Sequence, residues 1–360
     1  MRAPHVLLTG ATGSVGAEVL ARLVAAGTRV SALIHRNGRF LASDGSVVES
    51  PEADSLSGNV RLDGFGLSTN ERLELGRSVT CIVHCAATTD FGASQDEYDE
   101  LNVGGTRHAI GLAREWDVPL VHISTAYVCG LRNDVIGEDE LDAGQEFGNG
   151  YEQSKFRCEQ LIRDASSHGL RAAVVRPAIV VGRSTDGAIR EYKNMYPVVK
   201  LIVEGKLRSL PGRYDATLSL VPVDYVADVI AAVVFDIKSA VGGTYHAVGA
   251  ADLSLRDVSD VFAEYPSFAV AKFVPAASFS IDDLERNERE YYLRIGARYT
   301  SYFGRRVGFD ATNTEKLLGR RAPATGKDYL RLLLDFCLDS GYLGTPLPSI
   351  DDVLRRLGTE

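Results

Sequence analysis

The sequence predicts an α/β protein, with a Rossmann-type doubly wound parallel sheet and a smaller, mostly helical lobe. Three observations indicate this fold class. A short apolar run at 6–9 leads directly into a glycine-rich turn at 10–16, and a helical pattern follows at 17–26. A second apolar run at 30–34 completes the opening of a parallel βαβ unit. Strand and helix patterns then alternate as far as residue 176, as expected for a doubly wound sheet.

The later elements continue this alternation. Strands are predicted at 81–84, 119–124 and 172–176, and helices at 97–116 and 151–167. After about Gly182 the pattern changes to loop and helix, and 218–248 is expected to rejoin the main sheet. Because ligands of doubly wound sheets lie at the carboxyl ends of the strands, we expect the functional residues there.

Composition bounds the class of protein. The chain has 360 residues, 45% of them hydrophobic and 24% charged, which is typical of a globular protein with a large core. A net charge of −9 disfavours nucleic-acid binding, which needs a basic surface. The five cysteines are odd in number, show no zinc-ligand spacing and do not indicate a disulfide framework.

No segment has the pattern of a membrane anchor. The most apolar later stretch, 221–235, is interrupted by Asp224 and Asp228 and is shorter than the roughly 20 residues that a membrane helix needs. The chain also begins without the pattern of a secretory leader. We therefore expect a cytoplasmic protein with no membrane partner.

The turn at 10–16, here called the glycine turn, predicts a dinucleotide site. Gly10 permits the sharp turn out of the strand, and Gly13 lets backbone amides approach a pyrophosphate. Gly16 allows the helix to pack closely on the strand. Three glycines alone can simply form a tight turn, but their place between a strand and a helix favours cofactor binding.

The end of the second strand predicts which nicotinamide cofactor binds. An acidic residue at this position would bind the ribose 2′-hydroxyl and repel a 2′-phosphate. The sequence has Arg36 and Arg39 there instead of an acid. A guanidinium can form paired hydrogen bonds with a phosphate, so the prediction is NADPH. The alternative is an exposed arginine in a loop.

A tyrosine and a lysine lie four residues apart in the helix predicted at 151–167. Tyr151 and Lys155 therefore share one helical face. A phenol free in water has a pKa of about 10. A neighbouring ammonium favours the phenolate, so we expect Lys155 to bring the pKa of Tyr151 closer to neutrality. Such pairs also occur by chance on surface helices.

Two hydroxyls end the strand predicted at 119–124. We select Thr125 as the group that polarises a substrate carbonyl, with Ser124 as its structural neighbour. The alternative is that both hydroxyls only cap the loop. The order of glycine turn, strand end and helix favours a catalytic trio of Thr125, Tyr151 and Lys155.

Together these segments resemble the extended short-chain dehydrogenase/reductases. The shared motifs are Gly10-Ala11-Thr12-Gly13 with Gly16, the trio, and Arg176-Pro177 followed by Val180-Val181-Gly182. Segments 122–128, 149–155 and 221–228 are similar to a narrower branch of thioester reductases and fatty acyl-CoA reductase-like proteins. That branch includes terminal reductase domains of carboxylic acid reductases and nonribosomal peptide synthetases. The likeness covers most of the chain and is strongest from 1 to 230.

The resemblance implies hydride transfer from NADPH to a carbonyl carbon, with Tyr151 supplying the proton. A thioester would give a hemithioacetal that releases its thiol and an aldehyde, and a second hydride would give the alcohol. The predicted cofactor contacts are Thr9, Gly10, Thr12, Gly13, Ser14, Val15, Gly16, Arg36, Arg39, Asn59, Val60, Cys85, Ala86, Ala87, Tyr151, Lys155, Pro177 and Ile179.

Two positions depart from the branch. Asn59 stands where the branch usually has an aspartate that contacts adenine, and its carbonyl oxygen still offers an acceptor. Cys85 stands where asparagine is common. We expect binding of the cofactor to survive with altered strength.

The predicted organisation is an NADP-binding Rossmann domain of 1–182 plus 217–249 and a substrate-binding lobe of 183–216 plus 250–360. The acyl substrate would be carried by a carrier protein or CoA. Basic residues that would face an acidic carrier, or else form a solvated surface, are Arg183, Arg190, Lys193, Lys200, Lys206 and Arg208. Neither the acyl group nor the oligomeric state follows from the sequence.

Two other functions stay open. The chain could reduce the ketone or aldehyde of a free small molecule in secondary metabolism. It could also be a non-catalytic NADPH-binding regulator, although a regulator needs no proton donor and the trio is intact. A sugar-nucleotide epimerase is disfavoured by the missing acid after the second strand.

Overall fold

The centre of the computed structural model, which describes residues 4–35, 38–48 and 52–344, is a sheet of seven parallel strands. The strands are β1 His5–Thr9, β2 Arg29–Ile34, β3 Ala53–Ser57, β4 Cys81–His84, β5 Leu120–Ile123, β6 Ala172–Pro177 and β7 Thr244–Ala247. Their order across the sheet is β7-β6-β5-β4-β1-β2-β3. The chain therefore reverses direction across the sheet between β1 and β4, where doubly wound folds bind ligands.

Helices cover both faces of the sheet. The longer ones are α1 Ser14–Ala25, α2 Thr69–Ser78, α3 Gly105–Glu115, α4 Gly150–Ser167, α5 Tyr196–Val203, α6 Val223–Phe235, α7 Leu255–Ala263, α8 Arg286–Arg294, α9 Thr312–Leu318 and α10 Lys327–Asp339. Short helices are Gln95–Glu97, Ile237–Ala240 and Thr300–Gly304. No helix in the described part of the chain is long and apolar enough to cross a membrane.

The strand side chains alternate between two apolar clusters, as the pleat requires. On one face Leu8 packs in the cluster that contains α1 and α6. On the other face Leu7 packs in the cluster that contains α3 and α4. Because both faces are covered, the interior strands β1, β4 and β5 are buried along their whole length rather than on alternate residues, which is typical of parallel sheets.

Four small two-stranded sheets join the remaining segments. Their pairs are Val135–Ile136 with Gly308–Phe309, Ile179–Val181 with Leu220–Pro222, Ser209–Pro211 with Lys272–Val274, and Thr217–Leu218 with Leu253–Ser254. Three of these sheets pair a segment that precedes β7 with a segment that follows it. The exact division into two lobes stays a prediction.

The predicted Rossmann-type sheet is confirmed, including the return of 218–248 through β7. One predicted helix is different. The segment predicted as a helix at 97–116 begins with Gln95–Glu97, widens into a π-helical stretch at Tyr98–Gly104 and continues as α3. Single π-helical turns often occur near functional sites. Here the stretch brings Asn102 to the hydroxyl of Ser154 in α4, at 2.9 Å.

Candidate active site

The glycine turn adopts the geometry that its spacing predicts. Gly10 has a φ of +73°, and a Cβ atom there would lie 2.7 Å from the amide nitrogen of Ala86. A Cβ atom on Gly16 would lie 2.1 Å from the carbonyl oxygen of Gly10. These two glycines are therefore required by the fold itself.

Gly13 has a different environment. A Cβ atom there would come no closer than 3.4 Å to the protein atom nearest to it, the carbonyl oxygen of Gly10. Gly13 also caps α1, whose first turn contains no acidic residue. The open space and the free amides of a twelve-residue helix fit a pyrophosphate, which the helix dipole attracts.

The start of the turn is held by buried polar contacts. The Thr9 hydroxyl contacts Nδ1 of His84 at 2.9 Å and accepts a hydrogen bond from the amide of Ala86 at 3.1 Å. Thr9 is fully buried, so its side chain fixes β1 against the end of β4. Cys85 faces the cleft described below, and burial raises the pKa of its thiol to about 12, which keeps it uncharged.

Thr125 lies two residues after the end of β5, next to Ser124. Its hydroxyl donates to the carbonyl oxygen of Pro177 at 3.2 Å and accepts from the amide of Tyr127 at 3.3 Å. It therefore caps the short 3₁₀ turn Ala126–Cys129 and also borders the cleft. The neighbouring Ser124 borders the same cleft.

Tyr151 lies in the first turn of α4. The side chain of Asn149 caps this helix by accepting from the amide of Glu152 at 2.9 Å. Burial raises the pKa of Tyr151 above its usual value, and a hydrogen bond with Thr125 acts in the opposite direction. The phenol is therefore protonated at neutral pH.

Lys155 follows one turn later and is buried. Its ammonium donates to the carbonyl oxygen of Ile123 at 2.7 Å. Burial lowers its pKa, while Cys158, Cys85 and Glu159 act in the opposite direction. The expectation that Lys155 brings the Tyr151 pKa towards neutrality is wrong for this arrangement, because burial of the phenol outweighs the hydrogen bond with Thr125, and the nearby Glu152 carboxylate raises the pKa further.

These groups converge on one cleft with a cavity volume of about 260 Å³. The predicted site residues that line it are Gly10, Gly13, Ser14, Val15, Gly16, Cys85, Ala87, Thr125, Tyr151, Lys155, Pro177 and Ile179. The glycine turn and the trio are thus parts of a single site. Thr9, Thr12, Arg39, Asn59, Val60 and Ala86 are not among the lining residues.

The predicted adenosine side is less complete. Arg36 lies outside the described residues, and Arg39 is exposed. The Asn59 side-chain oxygen already accepts from the amide of Arg61 at 3.0 Å, so only its second lone pair is open to an adenine amine. Val60 is buried, and its carbonyl contacts Nδ1 of His108 at 2.9 Å.

An aromatic group beside Tyr151 was not predicted. The Phe91 ring centroid lies 5.9 Å from that of Tyr151, 5.3 Å from that of Tyr299 and 5.7 Å from that of Tyr302. All four residues line the cleft. Phe91 lies in a loop without periodicity, and the two tyrosines come more than 200 residues later. The only sequence signal was the density of aromatic residues around 291–303.

The basic residues predicted to face a carrier protein are paired with acids. The pairs are Arg183 with Asp44 and Asp186, Arg190 and Lys193 with Glu191, Lys200 and Lys206 with Glu204, and Arg208 with Glu285 and Glu288. Arg190 also donates to the carbonyl of Thr12, at 2.7 Å. The cluster is therefore largely neutralised rather than a basic docking surface.

Comparison with known proteins identifies the family. The model of the family described as Male sterility protein matches residues 8–230, which is more than half of the chain. The chain belongs to this family. The match covers the glycine turn and the whole trio, and so the predicted likeness to extended short-chain dehydrogenase/reductases is confirmed.

The similar proteins of known name are mostly reductases that are longer than this chain. It is 31% identical to the glycine betaine reductase ATRR of Emericella nidulans over 63% of this chain and 20% of that protein. It is 24% identical to the L-2-aminoadipate reductase large subunit of Penicillium chrysogenum over 80% of this chain and 23% of that protein. The chain thus spans about a fifth to a quarter of the length of each of these two relatives.

One solved structure is similar over almost its whole length. The terminal R domain from the myxalamid PKS-NRPS biosynthetic pathway superimposes with a TM-score of 0.83 and 26% identity. The similarity covers 96% of this chain and 93% of that domain. The prediction of an oxidoreductase of the short-chain dehydrogenase/reductase type with a nicotinamide cofactor is confirmed at the level of the family.

Proposed function

We propose that this chain is an NADPH-dependent reductase of an acyl thioester, carried by a carrier protein or by CoA, and that it releases an aldehyde. The observation that carries the proposal is the convergence of the glycine turn with Thr125, Tyr151 and Lys155 on one cleft. The relatives support the substrate class, since one is a terminal R domain of a PKS-NRPS pathway and others are named as reductases of carboxylic acids.

The reaction needs a proton donor at the carbonyl oxygen. The reduced nicotinamide would supply a hydride to the thioester carbon. The Tyr151 phenol, protonated because burial raises its pKa, would donate its proton to the oxygen. Thr125, which borders the same cleft, would turn its hydroxyl from the Pro177 carbonyl to the substrate oxygen and stabilise the charge that develops there.

The hemithioacetal then divides into the two products. Its hydroxyl returns a proton to the Tyr151 phenolate as the C–S bond breaks, and the thiolate leaves and takes up a proton from water. Lys155 would hold the ribose and offset the negative charge on Tyr151, one helical turn away. A second NADPH would reduce the aldehyde to the alcohol with Tyr151 again donating the proton, and the phenolate would then regain its proton from water.

The preference for NADPH is part of the proposal. It rests on Arg36 and Arg39 after β2, where an acid would favour NADH. We expect Arg36→Ala to weaken the binding of NADPH at least tenfold and the binding of NADH only slightly. Fluorescence titration measures both dissociation constants. Equal losses for the two cofactors would remove Arg36 from the phosphate site.

Release of the thiol separates the proposed reaction from its alternative. The purified chain is mixed with NADPH and a panel of acyl-CoA and acyl-carrier thioesters, and NADPH consumption and free thiol are followed together. We expect one thiol for the first NADPH consumed. Consumption with free ketones or aldehydes but no thiol release from any thioester would instead indicate a carbonyl reductase of small molecules.

A further inference from the structure

Besides the trio and the glycine turn, the cleft is lined by a set of buried apolar side chains. They belong to α5 and α7, together with Leu218, Phe273 and Phe303. We call this region the apolar arm. The geometry points to the apolar arm as the site of the acyl group, with Val258 setting its length; this inference rests on the proposed function.

The two helical walls present regular apolar faces. In α5 the lining residues are Val198, Val199 and Ile202, which share one side of the helix. In α7 they are Leu255, Val258 and Phe262, at the i, i+3, i+7 spacing of a single face. All six are buried.

Two phenylalanines add to the walls of the arm. The ring centroids of Phe273 and Phe303 lie 5.6 Å apart, and both residues line the cleft. A Cβ atom on Gly212 would lie 2.9 Å from Cβ of Phe303, so the backbone at Gly212 packs tightly against the base of this side chain. Tight packing there leaves the Phe303 backbone little room to shift for a longer chain.

None of the residues assigned to the apolar arm is charged. The charged residues among its described lining are Lys155, Glu191 and Lys193. Lys155 belongs to the trio, and Glu191 and Lys193 form an ion pair at 2.6 Å before α5. A charged acyl terminus in the apolar arm would therefore be desolvated without a partner, which is strongly unfavourable.

The inferred substrate class is an apolar acyl chain. It contrasts with the polar acyl groups in the names of two relatives, glycine betaine and L-2-aminoadipate. Each methylene buried in the apolar arm is expected to raise kcat/KM about fourfold until the arm is filled.

A matched pair of substrates tests the charge. Octanoyl and octanedioyl N-acetylcysteamine thioesters have equal chains and differ by one terminal carboxylate. We expect kcat/KM for the octanedioyl compound to be at least about 100-fold lower. Comparable values would overturn the inference while leaving thioester reduction established. If neither compound releases thiol, octanal and 8-oxooctanoic acid make the same comparison: a preference for octanal then supports the arm and overturns only the proposed function.

A matched pair of variants tests the residue. Val258→Ala enlarges the apolar arm, and Val261→Ala makes the same change at a buried position of α7 that does not line the cleft. Over a hexanoyl to hexadecanoyl series of the same thioesters, we expect Val258→Ala to move the optimum to a longer chain and Val261→Ala to leave it unchanged. An unchanged optimum in both variants, or an equal shift in both, would overturn the assignment of Val258.

Discussion

Gly10, Gly13 and Gly16 meet different neighbours although they belong to one motif. Steric contact with the protein excludes a side chain at Gly10 and Gly16, where a Cβ atom would lie 2.7 and 2.1 Å from backbone atoms. At Gly13 the nearest such contact is 3.4 Å, and its φ of −78° suits any residue. We therefore attribute the absence of a side chain at Gly13 to the proposed cofactor rather than to the fold.

Gly13→Ala is expected to fold normally and to bind the cofactor at least tenfold more weakly, because the methyl group occupies space needed by the pyrophosphate. The measurement is the NADPH dissociation constant together with the unfolding midpoint. Gly111→Ala is the control. Gly111 lies in α3, and a Cβ atom added there would meet no atom outside the helix's own backbone within 4 Å. Undiminished cofactor affinity in Gly13→Ala would contradict this role.

Residues whose chemistry depends on local order were predictable, and residues that depend on packing were not. Tyr151 and Lys155 are fixed by helical spacing, and Thr125 by the end of a strand. Phe91 and Val258 carry no local signal, because only the tertiary fold brings them to the cleft. The direction of the Tyr151 pKa shift was wrongly predicted for the same reason, since burial is a property of the fold.

The catalytic helix α4 is fixed by two buried ion pairs. Glu152 pairs with Arg305 at 2.6 Å, and Glu159 pairs with Arg176 at 2.7 Å. The Arg305 guanidinium also lies 4.2 Å from the ring centroid of Tyr302 and donates to the carbonyl of Gly130. The residue after Tyr151 is thus attached to a segment 153 positions further along the chain.

Arg305→Met is expected to lower the free energy of unfolding by about 3–5 kcal/mol, because it leaves the Glu152 carboxylate buried without its partner. Chemical denaturation measures this loss. Adding Glu152→Gln should recover part of it, since the unpaired charge is then removed. Arg213→Met is the control at an exposed ion pair and should leave the unfolding midpoint unchanged; an equal effect in both variants would contradict the account.

Most helices and strands were predictable from the sequence. The strands of the sheet interior were predictable because they are short apolar runs between turns. Edge strand β3 has mostly exposed or partly exposed residues and no such run. The ion pairs that neutralise the basic residues could not be recognised from the sequence either. Arg208, for example, pairs with Glu285, which lies far along the chain.

The whole molecule carries buried histidines that resist protonation. Burial lowers the pKa of His84 to about 3, with Lys155 acting in the same direction. Burial lowers the pKa of His246 to about 4, and Arg176 also lowers it. An unfolded chain protonates these groups near pH 6.5, so the folded state binds fewer protons below that pH.

Stability is therefore expected to fall as the pH decreases from about 6.5 towards 4. Each such histidine contributes a slope of about 1.4 kcal/mol per pH unit in this window and none above it. His246→Gln should reduce the slope by about that amount, measured by urea denaturation at several pH values. A slope that is the same in the variant and the parent would mean that His246 is protonated in the folded protein.

Proton donation by Tyr151 in the cofactor cleft is the central claim, and Tyr151→Phe tests it most directly. Single-turnover reduction of a thioester by the chain with saturating NADPH gives the rate of the chemical step. We predict a loss of about 10²–10⁴-fold with an unchanged NADPH dissociation constant. Tyr265→Phe, which removes a hydroxyl bonded to Asp335 outside the cleft, should keep the parent rate. A Tyr151→Phe variant that reduces the thioester as fast as the parent would contradict the account.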